Sequence, residues 1–273
     1  SNPYIILVGP GTYTYNPNEI SIPDHVHLIG DISEAPIIKT TKGVATGTTV
    51  GNSSLIKLGS NCSVQNIKIQ LDAGSDDATD DKVVGIYSSG SNNTIKNVII
   101  ETDGNASDED TYGIYLTSGS GHLLSNITFN LNLATVSIYG LYLNSCGTSS
   151  DILIKDITSN ITSSNTNSYG IYINASKNCK ISHSNIYINN ADNKYGVYIK
   201  DSDCIVKYSE IEAEGDTDIG SDNSFPIYCY PTTGISSTLS DIAFTHNVSS
   251  ADTIQRATDL GGAGFLDNSM IKI

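Results

Sequence analysis

Arginine is nearly missing from this chain: Arg256 is its one copy among 273 residues, and tryptophan does not occur. Fourteen Lys and Arg stand against 29 Asp and Glu, a net charge of −15. Nucleic-acid affinity comes mainly from cations that neutralise phosphates, so this balance argues against DNA or RNA as a partner. It argues against anionic membrane surfaces for the same reason. Uninterrupted apolar runs stop after a few residues, as at Tyr4 to Val8, so no membrane insertion is predicted. The five cysteines (Cys62, Cys146, Cys179, Cys204, Cys229) cannot all pair and form no CxxC. A zinc site or a dense disulfide framework is therefore not expected. The chain starts at Ser1 without an initiator methionine or a signal pattern, so it is expected to be a processed product, a fragment or a trimmed chain. Eight N-x-S/T sequons are a weak hint of a glycosylated exterior in a chain so rich in Asn, Ser and Thr.

What is abundant is repetition. Val84-Gly85-Ile86-Tyr87 is followed by Tyr112-Gly113-Ile114-Tyr115, Tyr139-Gly140-Leu141-Tyr142, Tyr169-Gly170-Ile171-Tyr172 and Tyr195-Gly196-Val197-Tyr198. A degenerate copy stands at Phe225-Pro226-Ile227-Tyr228. The copies start 28, 27, 30, 26 and 30 residues apart. Such a period marks a solenoid, in which each unit is too small for its own core and stacking buries it.

Three short strand patterns recur per unit. The first is the G-I-Y strand, with Tyr112, Ile114 and Leu116 predicted on one face and Gly113 and Tyr115 on the other. The second carries Ile95, Leu124, Ile154, Ile181 and Val206. The third carries pairs such as Val98 and Ile100, Ile186 and Ile188. Between the second and third lies a polar corner, read as Asn66, Asn97, Asn126, Asp156, Asn185 and Glu210. Asn tolerates a left-handed backbone, so these amides are expected to stack in a ladder. The fold class is all-β, a parallel β-helix with three strands per coil and coils of about 26–30 residues.

These coils resemble the right-handed parallel β-helix of the pectin-lyase-like superfamily. The opening Val8-Gly9-Pro10-Gly11-Thr12-Tyr13, with Ile22-Pro23-Asp24-His25-Val26-His27-Leu28-Ile29-Gly30 after it, is similar to the first coil of pectinesterase-like members. The expected organisation is a β-helix over 1–245, with an irregular insertion at about 31–54. A C-terminal cap or assembly segment follows over 246–273. A short helix is predicted within Ser250 to Leu260, closed by Gly261 and Gly262.

The resemblance implies fold but not activity. Pectinesterase-like chemistry would need an aspartate pair beside an arginine on the coils, and Arg256 lies beyond them. Polygalacturonase-like members carry N-T-D, D-D and H-G segments. Here Asp76-Asp77 and Asp80-Asp81 are D-D pairs, but no N-T-D or H-G occurs. A lyase would need a base such as Lys96, Lys155 or Lys207, with Ser125 and Ser182 on the intervening coils; that spacing reads as a solvated face. His122 and His183 are expected at the surface or an edge. No catalytic residue is assigned. Acidic residues gather after the third strand: Asp76, Asp77, Asp80, Asp81, Asp103, Asp108, Glu109, Asp110, Asp216, Asp218 and Asp222. They suit loosely bound calcium as an extra, with no designed metal site and no cofactor. Cys179 and Cys204 are expected to stack inward as free thiols.

The candidate binding residues are the outward tyrosines Tyr87, Tyr115, Tyr142, Tyr172, Tyr198 and Tyr228. Gly85, Gly113, Gly140, Gly170 and Gly196 are expected to flank them as a flat trough. The row suits a polysaccharide or a lateral protein partner, although tyrosine also favours strands for packing alone. A first strand entered directly at Tyr4, Ile5, Ile6 and Leu7 leaves an uncovered coil end. It is expected to dock head to tail on a second copy near Gly264, Phe265 and Leu266. The leading expectation is a non-enzymatic extracellular or virion-surface subunit of a fibre, filament or spike. The alternatives are a carbohydrate-binding adhesin and a polysaccharide lyase or hydrolase.

Overall fold

Alternating β-branched residues give this chain short strands, and parallel stacking of like on like gives them a common interior. The computed structural model describes residues 3–15, 19–40, 54–71, 82–102, 110–132, 137–162, 167–189, 193–213, 223–230, 237–245, 264–267 and 270–272. Every strand pairing among them is parallel, and no helix occurs. The G-I-Y strands form an eight-stranded sheet running from Ile20–Ile22 through Asp110–Thr117 and Asn167–Asn174 to Asn223–Tyr230. The second and third strand patterns belong to a 14-stranded sheet. In most coils they run on as one strand, such as Thr94–Thr102 or Leu123–Asn132, folded at its middle.

The interior is a set of apolar columns. Ile86, Ile114, Leu141, Ile171 and Val197 follow one another in register and are 0% exposed. Opposite them lie Val98, Ile127 and Ile157, and then Ile100, Phe129 and Ser159. All five cysteines are buried and free, with Cys179 beside Cys204 in register as expected. Burial pushes the thiols up, to about 11 for Cys146 and about 12 for Cys179.

Two of the corners bear on the site. At the first, the strict alternation predicted for the G-I-Y strand fails. A Cβ on Gly113 would lie 2.6 Å from Phe129 Cδ1 and 2.6 Å from the Gly140 carbonyl oxygen. Gly113 therefore faces the core, together with Ile114, and Tyr112 is turned to the outer side with Tyr115. This corrects both the inner position predicted for Tyr112 and the outer glycine trough. Two consecutive inward residues fit only because one has no side chain.

At the second corner six residues hold positive φ: Asn66 (55°), Asn97 (53°), Asn126 (52°), Asp156 (55°), His183 (52°) and Tyr208 (49°). The first four were expected; His183 and Tyr208 replace Asn185 and Glu210. The register decides it: Lys155, Ser182 and Lys207 are aligned, so the turn falls on the residue after each.

Within 31–54, Ile37–Thr40 forms a strand between Thr12–Tyr15 and Ser63–Leu71. The helix predicted within 250–260 and the acidic residues predicted for calcium, Asp110 excepted, lie outside the described residues. Gly264–Asp267 and Met270–Lys272 are strands on the far edge of Ser237–Thr245.

Candidate functional site

The outer face of the eight-stranded sheet carries two aromatic columns. Tyr87, Tyr115, Tyr142, Tyr172, Tyr198 and Tyr228, the predicted row, are half-buried and stacked. In its middle the rings are 4.7, 4.8 and 4.7 Å apart, with interplanar angles of 8°, 5° and 3°. That spacing is the separation of parallel strands, about 4.8 Å, so backbone register alone delivers the stack. Beside it, Tyr112, Tyr139, Tyr169, Tyr195 and Phe225 form a second stack at 4.7, 4.8, 4.9 and 5.4 Å. The columns meet edge to face, as at Tyr112 and Tyr115 (5.3 Å, 76°). Sequence reading missed the second column because alternation assigned Tyr112 inward. The signal was the Y-G-I-Y spacing itself, two tyrosines three residues apart around a glycine.

This geometry limits what the ladder can do. Each inner ring has both faces covered by its neighbours, and Tyr112 is only 6% exposed. A sugar ring cannot stack on such a face. Burial raises the ionisation of Tyr112, Tyr139, Tyr142 and Tyr169 well above the ordinary phenol range, and neighbouring phenols add to it.

The positive-φ corner is the second feature. Asn97 Nδ2 donates to Asn66 Oδ1 (2.8 Å) and Asn126 Nδ2 to Asn97 Oδ1 (2.9 Å), the amide ladder expected. At Asp156 the amides stop. His183 and Tyr208 continue the column as stacked rings, 5.3 Å apart and 27° from parallel, with Tyr208 55% exposed. Lys96 and Lys155 are exposed and Lys207 half-buried, all on the outward side of the preceding strand. No carboxylate partners Lys155 or Lys207 among the described residues. Lys180 does pair with Asp151.

His122, predicted at the surface, is buried at 1% exposure. Its Nδ1 accepts the Asn93 backbone N–H (3.4 Å), while Nε2 has no hydrogen-bond partner among the described residues. Packing against Gly119 fixes the ring, since a Cβ there would lie 2.4 Å from Nε2. Burial lowers its pKa to about 4.

At the N-terminal end, Tyr4, Ile5, Ile6 and Leu7 are 68%, 60%, 46% and 78% exposed. Gly264, Phe265 and Leu266 align with Ser237, Thr238 and Leu239 at the other end of the sheet. Among the described residues, no group of three or more His, Cys, Asp or Glu could hold a metal ion, and no helix is long and apolar enough to cross a membrane.

Residues 1–198 match the family model described as rhamnogalacturonase A/epimerase, pectate lyase-like. No curated protein matches the chain. Similar solved structures include a mannuronan C-5 epimerase A-module from Azotobacter vinelandii (14% identity, 98% of this chain and 87% of that one, TM-score 0.33). Tailspike protein 2 of bacteriophage CBA120, in its enzymatically active domain, is 12% identical with a TM-score of 0.45. The match covers 99% of this chain and 42% of that one. A pectin methylesterase from Yersinia enterocolitica is 13% identical over 99% and 86% of the two chains, with a TM-score of 0.35.

Proposed function

The chain belongs to the rhamnogalacturonase A/epimerase, pectate lyase-like family, and on that premise we propose that it uses the family's coil without its catalysis. In this reading it is a structural β-solenoid of an extracellular or virion-surface fibre, filament or spike, joined head to tail. The observation that carries the reading is translational repetition on the eight-stranded sheet. Two aromatic columns run coil after coil, from Tyr87 to Tyr228 and from Tyr112 to Phe225, with close to the same ring geometry in their middles and looser contacts at Tyr87, Tyr228 and Phe225. Catalysis needs one place that differs from the rest, and this face offers none. A ladder of covered rings instead stiffens a rod laterally, each contact adding about 0.5–1.5 kcal/mol beyond burial. The reading requires no cofactor.

Pectate, polygalacturonate and methylated pectin are expected to remain uncut after long incubation with the purified protein. Release of unsaturated products, lost on Lys155→Ala or Lys207→Ala, would establish a lyase instead.

A further inference from the structure

The corner after Lys96, Ser125 and Lys155 changes its residue type part-way along the rod. For three coils it uses Asn, the side chain best suited to a left-handed backbone, and the amides lock together at 2.8 and 2.9 Å. The next three coils place Asp156, His183 and Tyr208 in the same conformation. His and Tyr forfeit the amide ladder and sit in a conformation that costs L side chains roughly 1–2 kcal/mol each. Core packing gives no compensation, because Tyr208 is 55% exposed. Ser118, Ser145, Ala175 and Asp201 also hold positive φ without being Asn, so the conformation alone is shared. What sets this corner apart is that it carries two stacked rings, one of them largely exposed. A costly local choice of that kind points to function.

We propose that this corner is a binding station for a neutral pyranose glycan, with Tyr208 as its platform. The platform is rigid. The His183 N–H donates to the Lys207 carbonyl (3.3 Å), the Ser184 N–H to Ser209 Oγ (3.2 Å), and the Glu210 N–H to the Ser184 carbonyl (2.9 Å). The His183 ring lies against the Tyr208 ring at 5.3 Å and limits its rotation. An exposed phenol held in this way offers an apolar surface to the C–H face of a sugar. Asp156 on one coil, with Lys155 and Lys207 beside the corner, supplies an acceptor and two donors for sugar hydroxyls. Glu210 is exposed just beyond Tyr208, and Asp241 follows Ser240 in the register of the next coil, so the corner carries two ammonium groups and three carboxylates. That balance, on a chain of net charge −15, favours an uncharged glycan over a polyanion. The tyrosine ladder cannot do the same work, because its inner ring faces are already occupied.

The test is titration calorimetry on the intact protein with glucan, mannan and galactan oligosaccharides, and with polygalacturonate oligomers as the acidic comparison. At least one neutral oligosaccharide should bind, and Tyr208→Asn should weaken it at least tenfold. His183→Asn should weaken it less. Because Asn is what the earlier coils hold at this position, both variants should keep or raise the melting temperature. A purely structural ring pair would make them melt lower. The proposal is overturned if no neutral oligosaccharide binds, if polygalacturonate binds better than all of them, or if Tyr208→Asn binds as before. It is overturned too if Tyr208→Asn and His183→Asn both destabilise the coil, since the ring pair then accounts for itself.

Discussion

Gly113 shows how much one missing methyl group can decide. Its virtual Cβ meets both Phe129, a core ring, and the Gly140 carbonyl oxygen at 2.6 Å, and neither can retreat in a stacked coil. Gly113→Ala is expected to cost about 1–3 kcal/mol as overpacking. At Gly9 the nearest atom is the tip of Tyr13 at 3.9 Å, so Gly9→Ala should be close to neutral. Urea unfolding of the pair checks the contrast, and equal losses would refute the inward position of Gly113. His122 makes a second residue-scale case. An unfolded histidine titrates near 6.5 and the folded one at about 4. The folded pKa is depressed, so the unfolded state binds the proton first. The contribution is complete above pH 6.5, is lost as pH falls, and stops changing below about 4. Between pH 6.5 and 5 the wild type should lose about 2 kcal/mol that His122→Asn does not. Asn is a fair replacement because Asn93 occupies the same column one coil earlier. Parallel pH profiles for the two proteins would show that His122 does not stay neutral in the fold.

At the scale of the element, the double aromatic ladder is expected to act as one structure. Tyr142 stacks on Tyr115 and Tyr172 and meets Tyr112 and Tyr139 edge to face. Tyr142→Ala should therefore cost about 2–4 kcal/mol. Tyr87 ends the column with one looser contact, 5.9 Å and 27°, and Tyr87→Ala should cost about 1 kcal/mol or less. Four phenols, the buried Tyr112 and Tyr169 and the half-buried Tyr139 and Tyr142, have raised pKa values, chiefly through desolvation, while unfolded tyrosine ionises near 10. Above pH 10 the unfolded state loses its protons first, so stability falls as pH rises. Tyrosinate absorbance from these rings should appear only together with loss of the β circular-dichroism signal. Smooth ionisation at pH 10 with the β signal intact would contradict their burial. The period of the coils and the inward column from Ile86 to Val197 were legible in the sequence, because stacked interiors require the same apolar type at each turn. The second ring column was not legible, because a single glycine suspends the alternation on which face assignments rest. The corner was legible while Asn filled it. It was lost at His183 and Tyr208, where residue type no longer announces a left-handed backbone and only the register of Lys155, Ser182 and Lys207 does.

For the whole molecule the question is what the two ends of the sheet do. The strand Tyr4–Val8 pairs with Val26–Gly30 on one edge, and Gly264–Asp267 pairs with Ser237–Thr245 on one edge. Among the described residues neither has a partner on its other edge. Every pairing between them is parallel, so the last strand of one copy could extend the ladder into the first strand of the next without reversing direction. Unpaired edges of this kind are templates for another chain. The four residues Tyr4, Ile5, Ile6 and Leu7 are all largely exposed, so the first strand offers apolar side chains on both of its faces as well as a backbone edge. A head-to-tail contact that does not close into a ring grows a filament. Rods of net charge −15 would repel one another sideways, with a reach that falls to about 8 Å at physiological salt. The natural full-length protein should therefore sediment as end-to-end oligomers that lengthen with concentration, and bundle only when salt is added. Leu7→Lys should abolish the end contact by placing a charge where a neighbour would bury it, without disturbing the coils. Added salt should not restore it. A monomer at every concentration and salt level, with Leu7→Lys indistinguishable from wild type, would end the case for head-to-tail growth and leave the first strand to another partner.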